Sequence, residues 1–306
     1  MLPPDDFDPP VAVPVALESG LRRITAPNPS PMTYRGTNTY LLGEREIAVI
    51  DPGPDGTVGD RQMAAILGAL GKGQKITHIL VTHAHLDHSP LSRALAAETG
   101  APVYALGDAR AGRSDVMQTL AAAGEIRGGE GVDADFVPDI CVGAGDVIKA
   151  LGWQVTVLPT PGHFGNHISF IWKDAVFTGD HVMGWASSLV SPPDGDLTQF
   201  MASCAALAQV PARIYYPGHG APVTNPQARL EWLVAHRMGR ESEILTAVKA
   251  APATASELAR VIYTDTPPAL LGAAARNVLS HLIDLTGKSI VSPVGPLTAE
   301  ARFKCL

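Results

Sequence analysis

The stretch Thr82-His83-Ala84-His85-Leu86-Asp87-His88 decides how this chain is read. It follows Ile76-Thr77-His78-Ile79-Leu80-Val81, an apolar, β-branched run that predicts a buried strand. In extended backbone, side chains two residues apart point the same way, so His83 and His85 can hold one cation together. Asp87 and His88 follow where the chain must turn, and can face a second cation. Three imidazoles and a carboxylate this close suit zinc or another first-row metal. The bland alternative is histidines that merely end a strand, but by chance such a string arises on the order of once per thousand chains of this size.

Around that stretch, 306 residues suffice for one large α/β domain with an appendage, or for two ordinary domains. Hydrophobic residues make up 46% and charged residues 17%, the balance of a well-cored chain rather than a disordered one. A formal charge of −7 argues against a generic polyanion binder, although bound metal would supply local positive charge. Cys141, Cys204 and Cys305 are far apart and form no CxxC pair, so a reducing cytoplasm is the expected compartment. Met1-Leu2-Pro3-Pro4-Asp5-Asp6 lacks the basic and apolar segments of a signal peptide, and no apolar run is long enough to span a bilayer.

The remaining elements follow from periodicity and turn chemistry. Residues 1 to about 30, rich in proline and acids, are expected to wrap the surface rather than nucleate the core. Thr39-Tyr40-Leu41-Leu42 and Ile47-Ala48-Val49-Ile50-Asp51 predict paired strands, followed by a helix over 61–70. Ser89-Pro90 predicts an N-cap with proline at the first helical position, its free N–H groups open to an anion beside the site. Residues 108–139 predict mostly loop with one helix near 115–123, either a site cover or a surface excursion. Strands over 154–159, 167–172, 175–180 and 213–217 follow, with Thr198 expected to cap an intervening helix. Composition shifts near Asn225. Beyond it come a helix over 226–250, the capping box Thr254-Ala255-Ser256-Glu257, a longer helix from Leu271 and a strand at 289–293. That sequence of elements suggests a helix-turn-helix or winged-helix module.

Three further residues end predicted strands beside a glycine, which lets backbone approach a ligand closely: His163, Asp180 and His219. With the first stretch they make five histidines and two aspartates. The motifs His83-x-His85-x-Asp87-His88, Thr160-Pro161-Gly162-His163, Thr178-Gly179-Asp180 and Pro217-Gly218-His219-Gly220, in this order, resemble the metallo-β-lactamase superfamily. The resemblance implies an αββα sandwich over residues 1–225, with the site at the strand ends between the sheets. It implies that His83, His85 and His163 bind one metal and Asp87, His88 and His219 a second, with Asp180 bridging. Thr37-Asn38-Thr39-Tyr40-Leu41 and the C-terminal elements resemble the lactamase-β-2-like branch, which implies a winged-helix-like domain over 226–306. His85 favours two zinc ions over a redox iron pair, since related oxygen-reducing flavoproteins carry Glu there; manganese and iron remain alternatives. The family's thioesterase glyoxalase II shares all seven positions, and its Thr-Pro-Gly-His is typically followed by a further His, as His167 is here. Ser89-Pro90 and Phe164 depart from the usual pattern, and leave the substrate open rather than the metals.

The chemistry expected is hydrolysis of an ester, thioester, lactone or phosphodiester by hydroxide held between two divalent ions, with Asp87 also relaying a proton. Asn38 and His167 are candidates for substrate contact, or for buried hydrogen-bonded roles behind the ligands. A single-strand endoribonuclease is one alternative, a glyoxalase II-like thioesterase another. A non-catalytic nucleic-acid binder using the C-terminal module is a third, of a different class. Arg260, Arg276, Lys288, Arg302 and Lys304 are nearly matched by nearby acids, which weakens both nucleic-acid readings. The sequence leaves room for a homodimer. Gly184-Trp185-Ala186 and the loop 189–195 are candidates for the rim of the cleft.

Overall fold

The computed structural model describes residues 6–126, 128 and 131–306. Its first sheet holds seven strands in sequence order: β1 (Val15–Glu18), β2 (Leu21–Thr25), β3 (Asn38–Leu42), β4 (Glu46–Ile50), β5 (Lys75–Leu80), β6 (Val103–Ala105) and β7 (Ile140–Cys141). The pairs from β1 to β4 are antiparallel and those from β4 to β7 parallel. The parallel half requires crossovers, supplied by helices α1 (Gly56–Gly68) and α2 (Leu91–Thr99), while α3 (Asp115–Ala123) lies between β6 and β7. The second sheet is formed by β8 (Val147–Ala150), β9 (Trp153–Pro159), β10 (Ile168–Trp172), β11 (Ala175–Gly179) and β12 (Ile214–Pro217), in the order β12-β11-β10-β9-β8. Helix α4 (Leu197–Leu207) connects β11 to its parallel neighbour β12.

Alternation along β3 and β4 shows how the layers form. Tyr40, Leu42, Ala48 and Ile50 point between the sheets and meet Val157, Phe170 and Phe177. Leu41, Ile47 and Val49 point outward onto Ile66 of α1 and Leu95 of α2. Both faces are covered, so these strands are continuously apolar. Fully burying one such side chain stabilises by roughly 1.5–3 kcal/mol, and with both faces apolar the register is held by the fit of particular side chains rather than by alternation. The layers are helix, sheet, sheet, helix.

The N-terminal segment departs from its expected surface role. β1 and β2 join the first sheet, and Leu21 and Ile24 are fully buried. The adjacent arginines disguise the strand: Arg22 donates to the Ala69 carbonyl, and Arg23 lies over the Phe7 ring. Two expected caps also differ. Asp196, not Thr198, caps α4 by accepting the Gln199 N–H, while Thr198 donates to Asp284. Ser89 instead donates to the His85 carbonyl and to Asp133, and the N–H groups of Leu91 and Ser92 are committed to Gly53 and Ser89. The expected anion site at that helix start is therefore already occupied by the chain itself.

Past residue 225 come α5 (Pro226–Ala250), β13 (Ala253–Thr254), α6 (Ala255–Ile262), α7 (Leu271–Gly287), β14 (Val291–Pro293) and β15 (Arg302–Cys305), with a small sheet ordered β13-β15-β14. Thr254 and Glu257 form the expected capping box at the start of α6. Helix α5 joins two cores. Its Leu230 and Leu233 pack with α4, and its Ile244 and Val248 pack with α6 and α7. Met117 and Leu120 of α3 enter the same C-terminal core, so the 108–139 segment is more than a surface excursion. No helix among the described residues is long and apolar enough to cross a membrane.

Candidate metal centre

The strand ends of both sheets converge on one point. The loop after β5 carries His83, His85, Asp87 and His88, the β9–β10 turn carries His163, and Asp180 and His219 follow β11 and β12. All seven sequence candidates come together in three overlapping groups: His83, His85 and His163; His83, His88 and Asp180; Asp87, His88 and His219. His85 Nδ1 lies 2.9 Å from His83 Nε2 and 3.1 Å from His163 Nε2. His88 Nε2 and His219 Nε2 are 3.3 Å apart, and Asp87 Oδ2 lies 3.4 and 3.1 Å from them. Asp180 stands between the groups, with Oδ1 3.4 Å from His88 and Oδ2 3.2 Å from His219 and 3.9 Å from His163. Ligand atoms about 2.0–2.1 Å from one tetrahedral cation sit roughly 3.3 Å apart, so these spacings fit shared cations.

The outward nitrogens explain which way the rings face. His163 Nδ1 donates to the Leu189 carbonyl at 2.7 Å and His219 Nδ1 to the Gly36 carbonyl at 3.2 Å. His88 Nδ1 donates to Asp51 at 2.9 Å, and His83 Nδ1 lies 3.0 Å from the Thr82 hydroxyl. A committed outer N–H turns the inner nitrogen toward the centre, where a metal would take the place of any proton on it. Asp180 Oδ1 is buried with no hydrogen-bond partner, an orphan acceptor that a cation would satisfy. Gly218 packs so closely here that a Cβ would overlap Asp180 Oδ1.

Charge is divided unevenly across the site. Burial opposes protonation of His88 and His219, but Asp87 and Asp180 outweigh it, lifting His88 well above its ordinary value and His219 to about 10. Burial likewise opposes ionisation of both aspartates, yet the same imidazoles hold them well below the usual carboxylate range. On the other side, burial and neighbouring rings drive His83 down, and His85 to about 3. Without metal, one half of the centre is therefore neutral and the other is an imidazolium–carboxylate cluster.

Asn38 and His167 lie behind the clustered side chains. Asn38 is fully buried and donates to the carbonyls of Pro217 and Gly220, holding the loop that carries His219. His167, also fully buried, accepts the Asp180 N–H and meets the Thr160 hydroxyl. His181 packs against Phe200 in the core, His78 against Tyr104 and Trp153, and His236 on Trp232. Phe164, where the sequence departs from the usual pattern, stands edge-on to His85 at 4.7 Å.

Sequence reasoning missed Asp51, which accepts from the Thr82 N–H and hydroxyl as well as from His88. A buried acid closing an apolar strand before Pro52-Gly53 was the available signal. It also missed how the C-terminal helices grip the loop after Asp180. Arg229 donates to the carbonyls of Met183 and Ala186, Arg237 to that of Ser188, and Arg276 to that of Pro192. Ser188 in turn donates to the Asp180 carbonyl, and Leu189 orients His163.

A cleft of about 580 Å³ opens onto the centre. His85, Asp87, His163, Asp180 and His219 line its floor, while Leu270, Ala273 and Arg276 at the start of α7 form one wall. Leu189, Ser191 and Asp194 supply the rim expected of the 189–195 loop, and Trp185 lines an adjoining annex.

Comparison with known proteins agrees with this architecture. A family model described as the metallo-beta-lactamase superfamily matches residues 32–219, and one described as the beta-lactamase associated winged helix domain matches residues 254–295. A Drosophila melanogaster protein called beta-lactamase-like protein 2 homolog is 30% identical over 300 residues, 90% of this chain and 91% of its own length. An Aspergillus fumigatus protein called atrochrysone carboxyl ACP thioesterase is 32% identical over 74% of this chain, which spans 64% of that relative's length. A beta-lactamase domain protein from Burkholderia ambifaria has the same fold, with a TM-score of 0.81 at 21% identity over 98% of this chain and 96% of its own. A metallo-beta-lactamase family protein from Thermus thermophilus gives a TM-score of 0.77 at 26% identity, over 95% of this chain and all of its own. With its sandwich of two sheets, its clustered histidines and aspartates and its C-terminal winged helix, the chain belongs to the metallo-beta-lactamase superfamily.

Proposed function

We propose that the seven side chains hold two divalent cations, zinc ahead of manganese or iron, and that the protein hydrolyses a thioester or a related ester. His83, His85 and His163 hold one cation, Asp87, His88 and His219 the other, and Asp180 both. When bound, such a pair supplies hydroxide at neutral pH and polarises the attacked oxygen. The observation that carries this reading is the ring orientation: the outer N–H groups of His163, His219 and His88 are committed to carbonyls or to Asp51, so their inner nitrogens turn toward a carboxylate with an orphan oxygen. Asp87 keeps 26% side-chain exposure against 9% for Asp180, so it is the carboxylate that can exchange a proton with substrate in the cleft.

The lining favours a thioester over single-stranded RNA. Arg276 is the one Lys or Arg among the described residues that line the cleft, whose wall presents Met32, Leu189, Leu270 and Ala273 beside the polar Ser191 and Asp194. A strand of RNA calls for a track of cations and stacking rings; an acyl group calls for apolar wall. The 32% identity to a protein named as an acyl carrier thioesterase supports the same choice. Elemental analysis beside parallel assays on a thioester, a lactone and single-stranded RNA tests the reading, with Asp87→Ala as control. Two zinc ions per chain and thioester hydrolysis lost in the variant would support it. A metal-free protein, or activity indifferent to Asp87, would end it.

Two consequences can be measured directly. His219, at about 10 without metal, is protonated at pH 7 and must release that proton to become a ligand, as must His88. Metal uptake at pH 7 is therefore expected to release protons, and affinity to rise with pH while these groups titrate. Calorimetry in two buffers of different ionisation enthalpy reads the proton count. Asp51→Asn keeps an acceptor for the Thr82 N–H but removes the anion behind His88. It is expected to weaken metal binding by about 10–100-fold, measured by competition with a chelator.

A further inference from the structure

The cleft continues past the centre into an annex of about 240 Å³ that shares His163 and Asp180 with it. One side of the annex is Met183 and Trp185 from the loop after Asp180; the other is Tyr263, Leu270 and Ala274 from the C-terminal helices. The Trp185 ring is held flat against Tyr34, with centroids 4.9 Å apart and planes within 13°. This wall is apolar and rigid, and it begins at the proposed reacting centre.

One polar group in the annex has a fixed orientation. Asn277 Oδ1 accepts from the Val190 N–H at 3.0 Å and from Arg237 at 3.1 Å. Both partners are obligate donors, so the amide cannot be flipped, and its Nδ2 must point away from them. That NH2 makes no hydrogen bond among the described residues, while Asn277 lines the annex. It is a donor of fixed orientation on a mostly apolar wall that also carries Ser187 and Thr266, the arrangement by which small-molecule pockets orient ligands.

We infer that the annex is the acyl subsite of the thioester hydrolase proposed above, and that it selects flat, aromatic acyl groups bearing an oxygen acceptor for Asn277 Nδ2. The inference rests on the thioester reading, in that the acyl carbon sits at the centre while its ring enters the annex. Plain saturated chains fill the space but leave the amide donor unpaired, which costs them selectivity. The thiol carrier then leaves by the wider cleft.

The test compares acetyl, octanoyl and 4-acetylbenzoyl thioesters of one small thiol on the full chain. The wild type is expected to favour the 4-acetylbenzoyl substrate in kcat/KM. Asn277→Asp keeps an acceptor for Val190 and Arg237 but replaces the donor, so the ratio of 4-acetylbenzoyl to acetyl kcat/KM should fall about tenfold or more. Thr266→Phe, at a partly exposed position that lines the annex and not the wider cleft, should raise KM for the aromatic substrate more than for acetyl. Equal losses on all substrates, or a wild type with no acyl preference, would overturn the subsite while leaving the thioester reading intact. Should no thioester be cleaved, that reading fails. Titration of free 4-acetylbenzoic acid against the wild type and Thr266→Phe then decides the subsite alone: weaker binding in the variant sustains it, and equal or absent binding overturns it.

Discussion

Asp180→Asn is expected to lower the metal content from two per chain toward one and to reduce kcat/KM by more than the ~10²-fold that loss of an outer partner can cost. The carboxylate faces His88 through one oxygen and His163 and His219 through the other, so it touches both halves of the centre. Asparagine has nearly the same shape but no negative charge, and only one of its two terminal atoms can ligate. The backbone is secured independently, its N–H to His167 and its carbonyl by Ser188, so the loop should keep its course. Elemental analysis and a far-UV spectrum of the variant separate lost metal from lost fold. Two retained metals with an unchanged rate would refute the bridging role assigned to Asp180.

Gly218→Ala should be nearly as damaging, with a single added methyl. Backbone strain is not the cause, since Gly218 is absent from the positive-φ positions that neighbouring Gly220 occupies. The obstacle is space. A Cβ at Gly218 would overlap Asp180 Oδ1 and sit 2.7 Å from Cε1 of His88, tighter than real contacts allow. Overpacking of this kind costs about 1–3 kcal/mol, and here the atoms that must yield are the proposed ligands. Activity is expected to fall by about 10²-fold or more, with weaker metal retention on dialysis and a native-like circular dichroism spectrum. Normal activity in this variant would show that the centre tolerates displacement the geometry forbids.

Much of this was readable from residues alone, for a specific reason. The proposed ligands follow strand ends, three of them beside glycines, and the strands are apolar, so local sequence reports both the position and the chemistry. The four motifs fell into a known order, which led to the sandwich, while Thr37–Leu41 and the order of the C-terminal elements led to the winged helix. What escaped depends on partners distant in the chain. Asp51 looks like a strand-ending acid until His88 is brought to it, and Ser89 looks like a cap until Asp133 takes its hydroxyl. Residues 21–25 hid as a surface segment because Arg22 and Arg23 find partners only in the folded sheet. β15 escaped because Phe303 is its one fully buried residue. Asn38 was legible as important, but its role as a brace for the His219 loop needed three dimensions.

The grip of the C-terminal arginines on the loop after Asp180 gives the molecule a thermodynamic property. Leu189 and Ser188, which orient His163 and Asp180, are themselves held through Val190 and Ser188 by Asn277 and Arg237. Cation occupancy and docking of the terminal helices are thus linked functions of one loop, and linkage is reciprocal. Whatever tightens the proposed cation site must fasten the helices by the same coupling free energy, and whatever loosens the helices must weaken cation binding there. The winged helix is in this sense a ligand of the catalytic centre that happens to be covalently attached.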